Sequence, residues 1–332
     1  MKISMNLKRI RLFCVFVIFS TSLFAVEENS KKTDPTKVDL IKSTELDKAS
    51  VVQKTEQDEA DLLITNRRLR ADSGSLSLWS VSTSFTYQGG SLSRPKDAQR
   101  PNIVKGADAL TLQNLTGDVG VKYRLTKLFS LTMSTGVFMT TPFHSTIKTT
   151  EKKLQKNFDE NHQKMTVNDP LLKATYVNRF FNIQSVTNAK LTLVTNNQQK
   201  LDGYQWSYYL SENVMRQLAG TKFSYGANFA IQTYSFSRRN NTLTDRVLGF
   251  YPAVEYEINE KLNFRTAFGT FVYQHLSGDE ANTYEKRKVY QSIGLGILLG
   301  RDVFLYPNIQ YIPSDIRSDR TNIALSTNIN FF

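Results

Sequence analysis

Apolar and polar residues alternate most regularly at the end of the chain, in Thr321-Asn-Ile-Ala-Leu-Ser-Thr-Asn-Ile-Asn-Phe-Phe332. Successive side chains of a β-strand point to opposite faces, so every second residue shares a face. The segment therefore predicts a strand with one face suited to lipid and the other suited to water. The apolar face carries Ile323, Leu325, Ile329 and Phe331, and the polar face carries Asn322, Ala324, Ser326, Asn328 and Asn330.

The same alternation recurs from about Ser75 onward. In Ser75 to Tyr87, the side chains of Trp79 and Phe85 would face one way and those of Ser80 and Ser84 the other. The pattern predicts about twelve strands in all. The others are Leu115 to Leu125, Phe129 to Met139, Leu171 to Val177, Ser185 to Thr195, Tyr204 to Met215, Phe223 to Tyr234, Arg246 to Ile258, Leu262 to Tyr273, Val289 to Leu298, Val303 to Ile312 and Thr321 to Phe332.

Two prolines, Pro252 and Pro307, fall inside predicted strands. Proline has no backbone N–H to donate to a neighbouring strand. We therefore expect a bulge or a locally broken ladder at each of them.

The links between these strands alternate in length. Short links at Thr126 to Leu128, Gln217 to Gly220, Asn259 to Lys261 and Leu299 to Asp302 alternate with longer ones near Gln88 to Ala107, Thr141 to Pro170, Ser235 to Asp245 and Gln274 to Lys288. Transmembrane barrels alternate short turns and long loops in this way, whereas a soluble β-sandwich does not require it. The predicted fold is all-β, a transmembrane antiparallel up-and-down β-barrel of about 12 strands.

The first 25 residues are typical of a cleaved signal peptide. Four basic residues lie within Met1 to Arg11, an apolar run follows from Leu12 to Phe24, and Ala25 is a small residue suited to cleavage. The run is too short for a membrane-spanning helix. The only cysteine, Cys14, lies in this segment, so the exported chain would contain no cysteine.

Composition agrees with an exported barrel. Mean hydropathy is −0.36 and 40% of the residues are hydrophobic, because barrel strands need apolar side chains only at alternate positions. The formal charge falls from +12 to +8 when the four basic residues of the signal are removed. Nucleic acid is not expected as a partner of an exported protein, and lipopolysaccharide phosphates or anionic solutes are better candidates.

Residues 26–72 differ from the rest of the chain. They are rich in Lys, Glu, Asp, Thr and Ser, contain no aromatic residue, and show loose helical spacing. We interpret them as a polar periplasmic extension, partly disordered or helical, with the barrel at residues 73–332. A plug entering the lumen or a short coiled coil is the alternative.

Residues 75–332 resemble a bacterial outer-membrane β-barrel of the porin-like class, because a signal, alternating strands and a terminal aromatic residue occur together. In this chain the apolar face of the last strand ends on Phe331 rather than Phe332. The resemblance implies location in the bacterial outer membrane, contact with lipid and lipopolysaccharide, and recognition of the C-terminal strand by the barrel-assembly machinery. With an even strand number, the N-terminal extension and the C-terminus would both be periplasmic.

The polar face of the strands would line the barrel interior and contains charges of both signs. Such groups either line a narrow aqueous passage or pair across the lumen and fill it. We expect a narrow porin or channel for small polar solutes, and a structural or surface-interaction barrel is the alternative. The candidate lumen-lining residues are Asp118, Lys122, Arg124, Lys190, Glu255, Glu257 and Arg265.

Catalytic chemistry is weakly indicated. A hydrolase is the third hypothesis, in which His162 or His275 would act with nearby loop carboxylates. His144 and Ser145 are adjacent, so on a strand they would face opposite ways and could not form a catalytic pair. No cysteine pair or close histidine pair suggests a metal, and no cofactor is expected.

Overall fold

The structure, a computed structural model, describes residues 58–144, 165–238 and 242–331, all within one compact unit, Thr55–Phe332. The predicted signal peptide, most of the predicted extension, the loop segment containing His162, and Phe332 lie outside the described residues. None of the helices in the described ranges is both long enough and apolar enough to cross a membrane.

Most of the described residues belong to strands. The helices are α1 (Glu59–Leu63), α2 (Arg67–Ser73) and α3 (Asn197–Leu201), with one 3-10 turn at Ile103–Lys105. The strands are β1 (Trp79–Ser91), β2 (Gln99–Pro101), β3 (Leu110–Leu112), β4 (Asn114–Arg124), β5 (Phe129–Thr140), β6 (Met165–Phe180), β7 (Ile183–Leu193), β8 (Tyr204–Gln217), β9 (Phe223–Phe236), β10 (Thr244–Glu257), β11 (Leu262–Gly269), β12 (Phe271–Leu276), β13 (Glu285–Lys286), β14 (Tyr290–Leu298), β15 (Val303–Tyr311) and β16 (Asn322–Phe331).

The strands pair antiparallel into a closed wall. Neighbours in sequence pair with one another from β4 to β10, β11 pairs with both β10 and β14, and β1 pairs with both β4 and β16. Since β11 and β12 follow one another along β10, they occupy one wall position, and the described residues form a closed barrel of 12 strands. The predicted fold class is confirmed, and the two faces predicted for the last strand match its register against β1 and β15.

Both prolines lie where pairing is interrupted on one side, as expected. On one side, Pro252 pairs with Ala227 of β9. On its other side it has no partner in the ladder, because the neighbouring strand is interrupted between β11 and β12 at Thr270. Pro307 pairs with Leu325 of β16, while the ladder from β14 to β15 skips it between Gly294 and Ile297. Each proline therefore lies where its missing N–H costs no ladder hydrogen bond.

The alternation of link lengths is also present. Short turns such as 181–182 and 299–302 lie at one end of the barrel, and the longer links lie at the other. We call these the short-turn end and the long-loop end. Some predicted boundaries are wrong: β1 is Trp79–Ser91 rather than Ser75 to Tyr87, and β6 begins at Met165 rather than Leu171, five residues before Pro170. It passes Pro170 through an irregularity in which Asp169 has φ 56 and accepts hydrogen bonds from the amides of Thr195 and Asn196.

The outer face of the wall is apolar. Val121, Met133 and Leu295 are exposed there, and aromatic pairs such as Trp79 with Tyr123 lie near the short-turn end. Such a surface suits lipid, with aromatic side chains at its border. One carboxylate is an exception on this face: Glu212 accepts hydrogen bonds from the hydroxyls of Ser185 and Thr187.

The two N-terminal helices lie inside the barrel. Between them, α1 and α2 contact β6, β7, β15 and β16, and their side chains reach β4 and β10. Only a segment within the lumen can touch strands on all sides of the wall. Asp58 and Asn66 cap the helices by accepting hydrogen bonds from the amides of Ala60 and Leu69.

Candidate functional site: the barrel lumen

All seven residues predicted to line the lumen have inward register. Lys122 and Asp118 lie opposite Ser80 and Ser84 of β1. The inward-facing set of the other strands also includes Lys173, which lies opposite Lys190. Lys173 has the same alternation signal as Lys190 and lies inside the predicted strand Leu171 to Val177, so the signal that places it on the inner face was available in the sequence. The remaining predicted residues with this register are Arg124, Glu255, Glu257 and Arg265.

Glu255 and Arg265 form a buried ion pair on the inner wall. Arg265 Nε lies 3.1 Å from Glu255 Oε1, and the two side chains are 7% and 3% exposed. The other carboxylate oxygen of Glu255 accepts hydrogen bonds from Asn66 Nδ2 of the helical segment, at 2.8 Å, and from Asn263 Nδ2, at 3.1 Å. Because a buried charge needs both a counter-ion and hydrogen bonds, this network fixes α2 to the wall.

Lys122 holds the chain just after α2. Its ammonium group donates to the carbonyl oxygens of Ser73 and Ser75, at 2.9 and 2.7 Å. Gly74 lies between them with φ 81, and a Cβ atom there would stand 2.6 Å from Lys122 Nζ. Glycine is therefore required at residue 74 both for the backbone conformation and for the approach of the lysine.

Carboxylates of α1 and its cap neutralise arginines at the short-turn end. Arg124 donates two hydrogen bonds to the Asp58 carboxylate, at 2.9 and 2.7 Å, and Arg301 Nε donates to Asp61 at 2.9 Å. The Arg124 hydrogen bond is the main cause that lowers the pKa of Asp58 below its ordinary value. Arg67 and Glu257 pair at 2.6 Å on the far wall.

An apolar contact completes the attachment. Ile64 and Leu69 are each 1% exposed and pack against Val177, Val186 and Met215. These three wall residues have inward register, between polar neighbours such as Thr175 and Asn188. Sequence reasoning missed the contact, although apolar side chains on an otherwise polar inner face are the signal that could have predicted it.

We call residues 58–78 the plug segment. It lies at the short-turn end, where its contacts include Arg301 and Leu262, both next to short turns. The space left between it and the wall near Lys122 and Arg124 is a cavity of about 10 Å³, too small for more than a single water molecule. The plug segment therefore leaves little open space beside Lys122 and Arg124.

A larger cavity lies toward the long-loop end. Its volume is about 270 Å³, many times the roughly 10 to 15 Å³ that a single water molecule needs on the same measure. Its polar lining includes three tyrosines, Gln232 and Arg287. The lining residues are Tyr209, Ala230, Gln232, Tyr234, Val247, Gly249, Tyr251 and Arg287.

Of the two histidines of the hydrolase hypothesis, His162 lies outside the described residues. His275 is buried and its Nδ1 lies 2.6 Å from Asp245 Oδ1, with Arg246 also in contact, so the carboxylate in contact with it is Asp245 and not Asp279 or Glu280, which are nearer in sequence. His144 Nε2 contacts the carbonyl oxygen of Lys96 at 2.7 Å. No cluster of metal-binding side chains occurs among the residues the structure describes.

No protein-family model matches the chain, and no curated protein is similar to it in sequence. Among solved structures, it is similar to the COG4313 outer membrane channel from Pseudomonas putida F1, with TM-score 0.47 and 13% identity over 78% of this chain and 98% of that chain. A NanC porin gives TM-score 0.40 and 12% identity over 76% and 99%, and a KdgM porin in complex with disordered oligogalacturonate gives 0.39 and 7% over 76% and 99%. These similarities concern barrel architecture of the porin-like, outer-membrane kind and identify neither a solute nor a site.

Proposed function

We propose that the protein is a non-enzymatic outer-membrane channel for small polar solutes, closed at the short-turn mouth by the plug segment. The supporting observation is the cavity of about 270 Å³ inside a closed barrel, lined by tyrosine, glutamine and arginine side chains. A barrel serving only as an anchor has no need of such a polar space. The inner-wall charges, including Asp118 and Lys190, line the solute path in this proposal.

The short-turn mouth faces the periplasm in the proposed topology. Both the plug segment and the last residues of β16 lie at this end, which supports periplasmic termini. The outer face then contacts lipid and lipopolysaccharide, and β16 is the strand that the assembly machinery would recognise.

Opening of this channel requires the plug segment to leave the wall. Some of its attachments are ion pairs of partly exposed groups, including Asp58 with Arg124 and Asp61 with Arg301, whereas the contacts of Lys122 and Leu69 with the segment or the wall are buried. None of these contacts is part of the ladders between the strands. The mouth can therefore open while the wall stays folded.

Planar-bilayer conductance tests the channel. The full-length mature protein should conduct weakly, and the double variant Asp58→Asn, Asp61→Asn should conduct several-fold more, because two arginine contacts are weakened. Asp319→Asn is the matched control, since it removes an exposed carboxylate from a long loop. If the wild type, the double variant and the control all fold but none of them conducts, the proposed channel function is wrong.

The alternative, a structural or surface-interaction barrel, is favoured by one observation: the plug segment is held at several separate points around the wall. A permanently closed lumen would be stabilised in that way. The same bilayer experiment separates the two functions, because a permanently closed barrel stays silent even when Asp58 and Asp61 are both changed.

A further inference from the structure

We infer that the long-loop half of the lumen contains an anion-binding site between Lys190 and Arg287, and that the solute of the proposed channel is a small organic anion. The inference rests on the proposed function and deepens it. It is carried by the arrangement of cations around the cavity of about 270 Å³.

The first observation is a pair of like charges. Lys173 of β6 and Lys190 of β7 lie directly opposite each other in register, both on the inner face. Like charges at directly opposed positions of a sheet destabilise it. An anion held between or beside the two ammonium groups would remove this repulsion.

The second observation connects Lys190 with the cavity. Its Nζ lies 5.6 Å from the centroid of the Tyr209 ring, and Tyr209 lines the cavity. The ammonium group thus lies over the aromatic face of a residue that lines the cavity.

Arg287 approaches the same space from the long-loop side. Its backbone amide donates to the carbonyl oxygen of Val272 at 2.8 Å, and its Nε donates to Gln274 Oε1 at 3.1 Å. One guanidinium N–H is therefore used to fix the group, and the others stay available for a carboxylate, which a guanidinium can bind with two hydrogen bonds.

The third observation is the lack of counter-charge. No lining residue of the cavity is acidic, and no carboxylate of the described residues pairs within 4.0 Å with Lys173, Lys190 or Arg287. Asp118 and Asp72 interact with Lys173 only at longer range, and Asp72 already accepts a hydrogen bond from Asn328. This differs from the short-turn half, where Arg124, Arg265 and Arg301 each have a carboxylate partner.

The lining also limits the shape of the ligand. Tyr209, Tyr234 and Tyr251 bring hydroxyl groups that can donate or accept, together with flat apolar faces. A carboxylate with a short polyhydroxylated or ring-shaped body fits this combination. An uncharged polyol of the same size would lack the contacts with Lys190 and Arg287.

Calorimetric titration of the folded, detergent-solubilised mature protein with sodium gluconate tests the site, with sorbitol as the uncharged match. We expect wild type to bind gluconate more tightly than sorbitol. Lys190→Gln and Arg287→Gln should each raise the Kd for gluconate about tenfold, as loss of a hydrogen bond to a charged group predicts. Lys222→Gln is the control, because Lys222 is exposed in a short turn.

Folding of each variant is checked by its heat-dependent shift on gels. If a variant fails to fold, the salt dependence of wild-type binding gives the second test, because the gluconate Kd should rise with ionic strength. Equal binding of sorbitol and gluconate, no binding of gluconate, or a gluconate Kd that neither salt nor the two substitutions change would overturn the site. If the protein binds gluconate but neither the wild type nor the Asp58→Asn, Asp61→Asn variant conducts, the proposed channel function is wrong and the anion site remains supported.

Discussion

The two halves of the lumen differ in how their charges are satisfied. At the short-turn end, arginines meet carboxylates, and a helical segment occupies the space between the walls. At the long-loop end, Arg287 lines an open cavity and Lys190 lies beside its lining residue Tyr209, and neither pairs with a carboxylate of the described residues. The same polar inner face is thus structural at one end, and at the other it carries the cations of the proposed anion site. An inward charged residue cannot be assigned to either role until its partner is known.

The largest effect is expected where a charge is buried and paired. Glu255→Ala leaves Arg265 buried without its counter-ion, which should lower the free energy of unfolding by about 3 to 5 kcal/mol. Glu257→Ala is the matched control, because its side chain is 43% exposed and such a pair contributes less than about 1 kcal/mol. Urea unfolding in detergent micelles measures both. Equal losses would mean that the short-turn half is not a buried network.

Removing the apolar contact of the plug segment should act locally. Leu69→Ala should weaken docking of the segment by about 2 to 5 kcal/mol, the usual cost of truncating a fully buried leucine. Limited proteolysis should then cut within residues 58–78 of the purified barrel, while the heat shift on gels is retained. Leu62→Ala, at a side chain that is 53% exposed, is the control and should stay resistant. Resistance of both variants would contradict the role of this contact.

Arginine substitutions compare the outer wall with the two halves of the lumen. Val119→Arg, on the lipid face, should cost about 2 to 4 kcal/mol near the bilayer midplane. Ala230→Arg, in the cavity, should fold normally and reduce conductance, because its charge stays hydrated. Thr132→Arg should fold and raise conductance by displacing the plug segment, since Thr132 is only 2% exposed.

Heat-shift gels and bilayer recordings score these three variants. Tolerance of arginine at Val119 equal to that at Ala230 would show that the wall faces are assigned wrongly. Identical conductance of Thr132→Arg and Ala230→Arg would remove the distinction between the filled and the open half.

The smallest effect concerns pH. The Arg124 hydrogen bond lowers the pKa of Asp58, so this contact stabilises the docked segment fully above the ordinary value of 3.8. The stabilisation is lost as pH falls below that value, through the lowered pKa. Conductance should therefore rise modestly on acidification below pH 3.8. Asp58→Asn should flatten this rise, because asparagine can still cap α1 but does not titrate. An unchanged acid response in Asp58→Asn would assign the effect to another group.

The wall was predictable because lipid and water impose a two-residue period on every strand. Within the predicted strands Leu115 to Leu125, Phe129 to Met139 and Leu262 to Tyr273, this period places Val119, Leu131 and Phe268 on the lipid face, and their register agrees. Partners across the lumen follow no such period. Lys122 binds the carbonyl oxygens of Ser73 and Ser75, which are 49 and 47 residues away in sequence. No local sequence pattern predicts which distant group an inward lysine will contact.

The sequence predicted the plug only as an alternative, because no local pattern of residues marks this segment as helical or as bound to the wall. Helices α1 and α2 have five and seven residues, too few for a clear helical period. Their stability comes from the wall rather than from their own sequence. The inward apolar residues Val177, Val186 and Met215 form a surface that a polar lumen does not need, and that surface was the available clue.

The pairing of β1 with β16 bears on the order in which the protein is assembled. Val81 pairs with Phe331, so the last strand to leave the ribosome closes the ring begun by the first. Asp72 and the carbonyl oxygen of Ala71 accept hydrogen bonds from Asn328 and Asn330 of that same last strand. The strand that closes the wall therefore also holds the end of α2, so a change in β16 that opens the ring should release the docked helices as well.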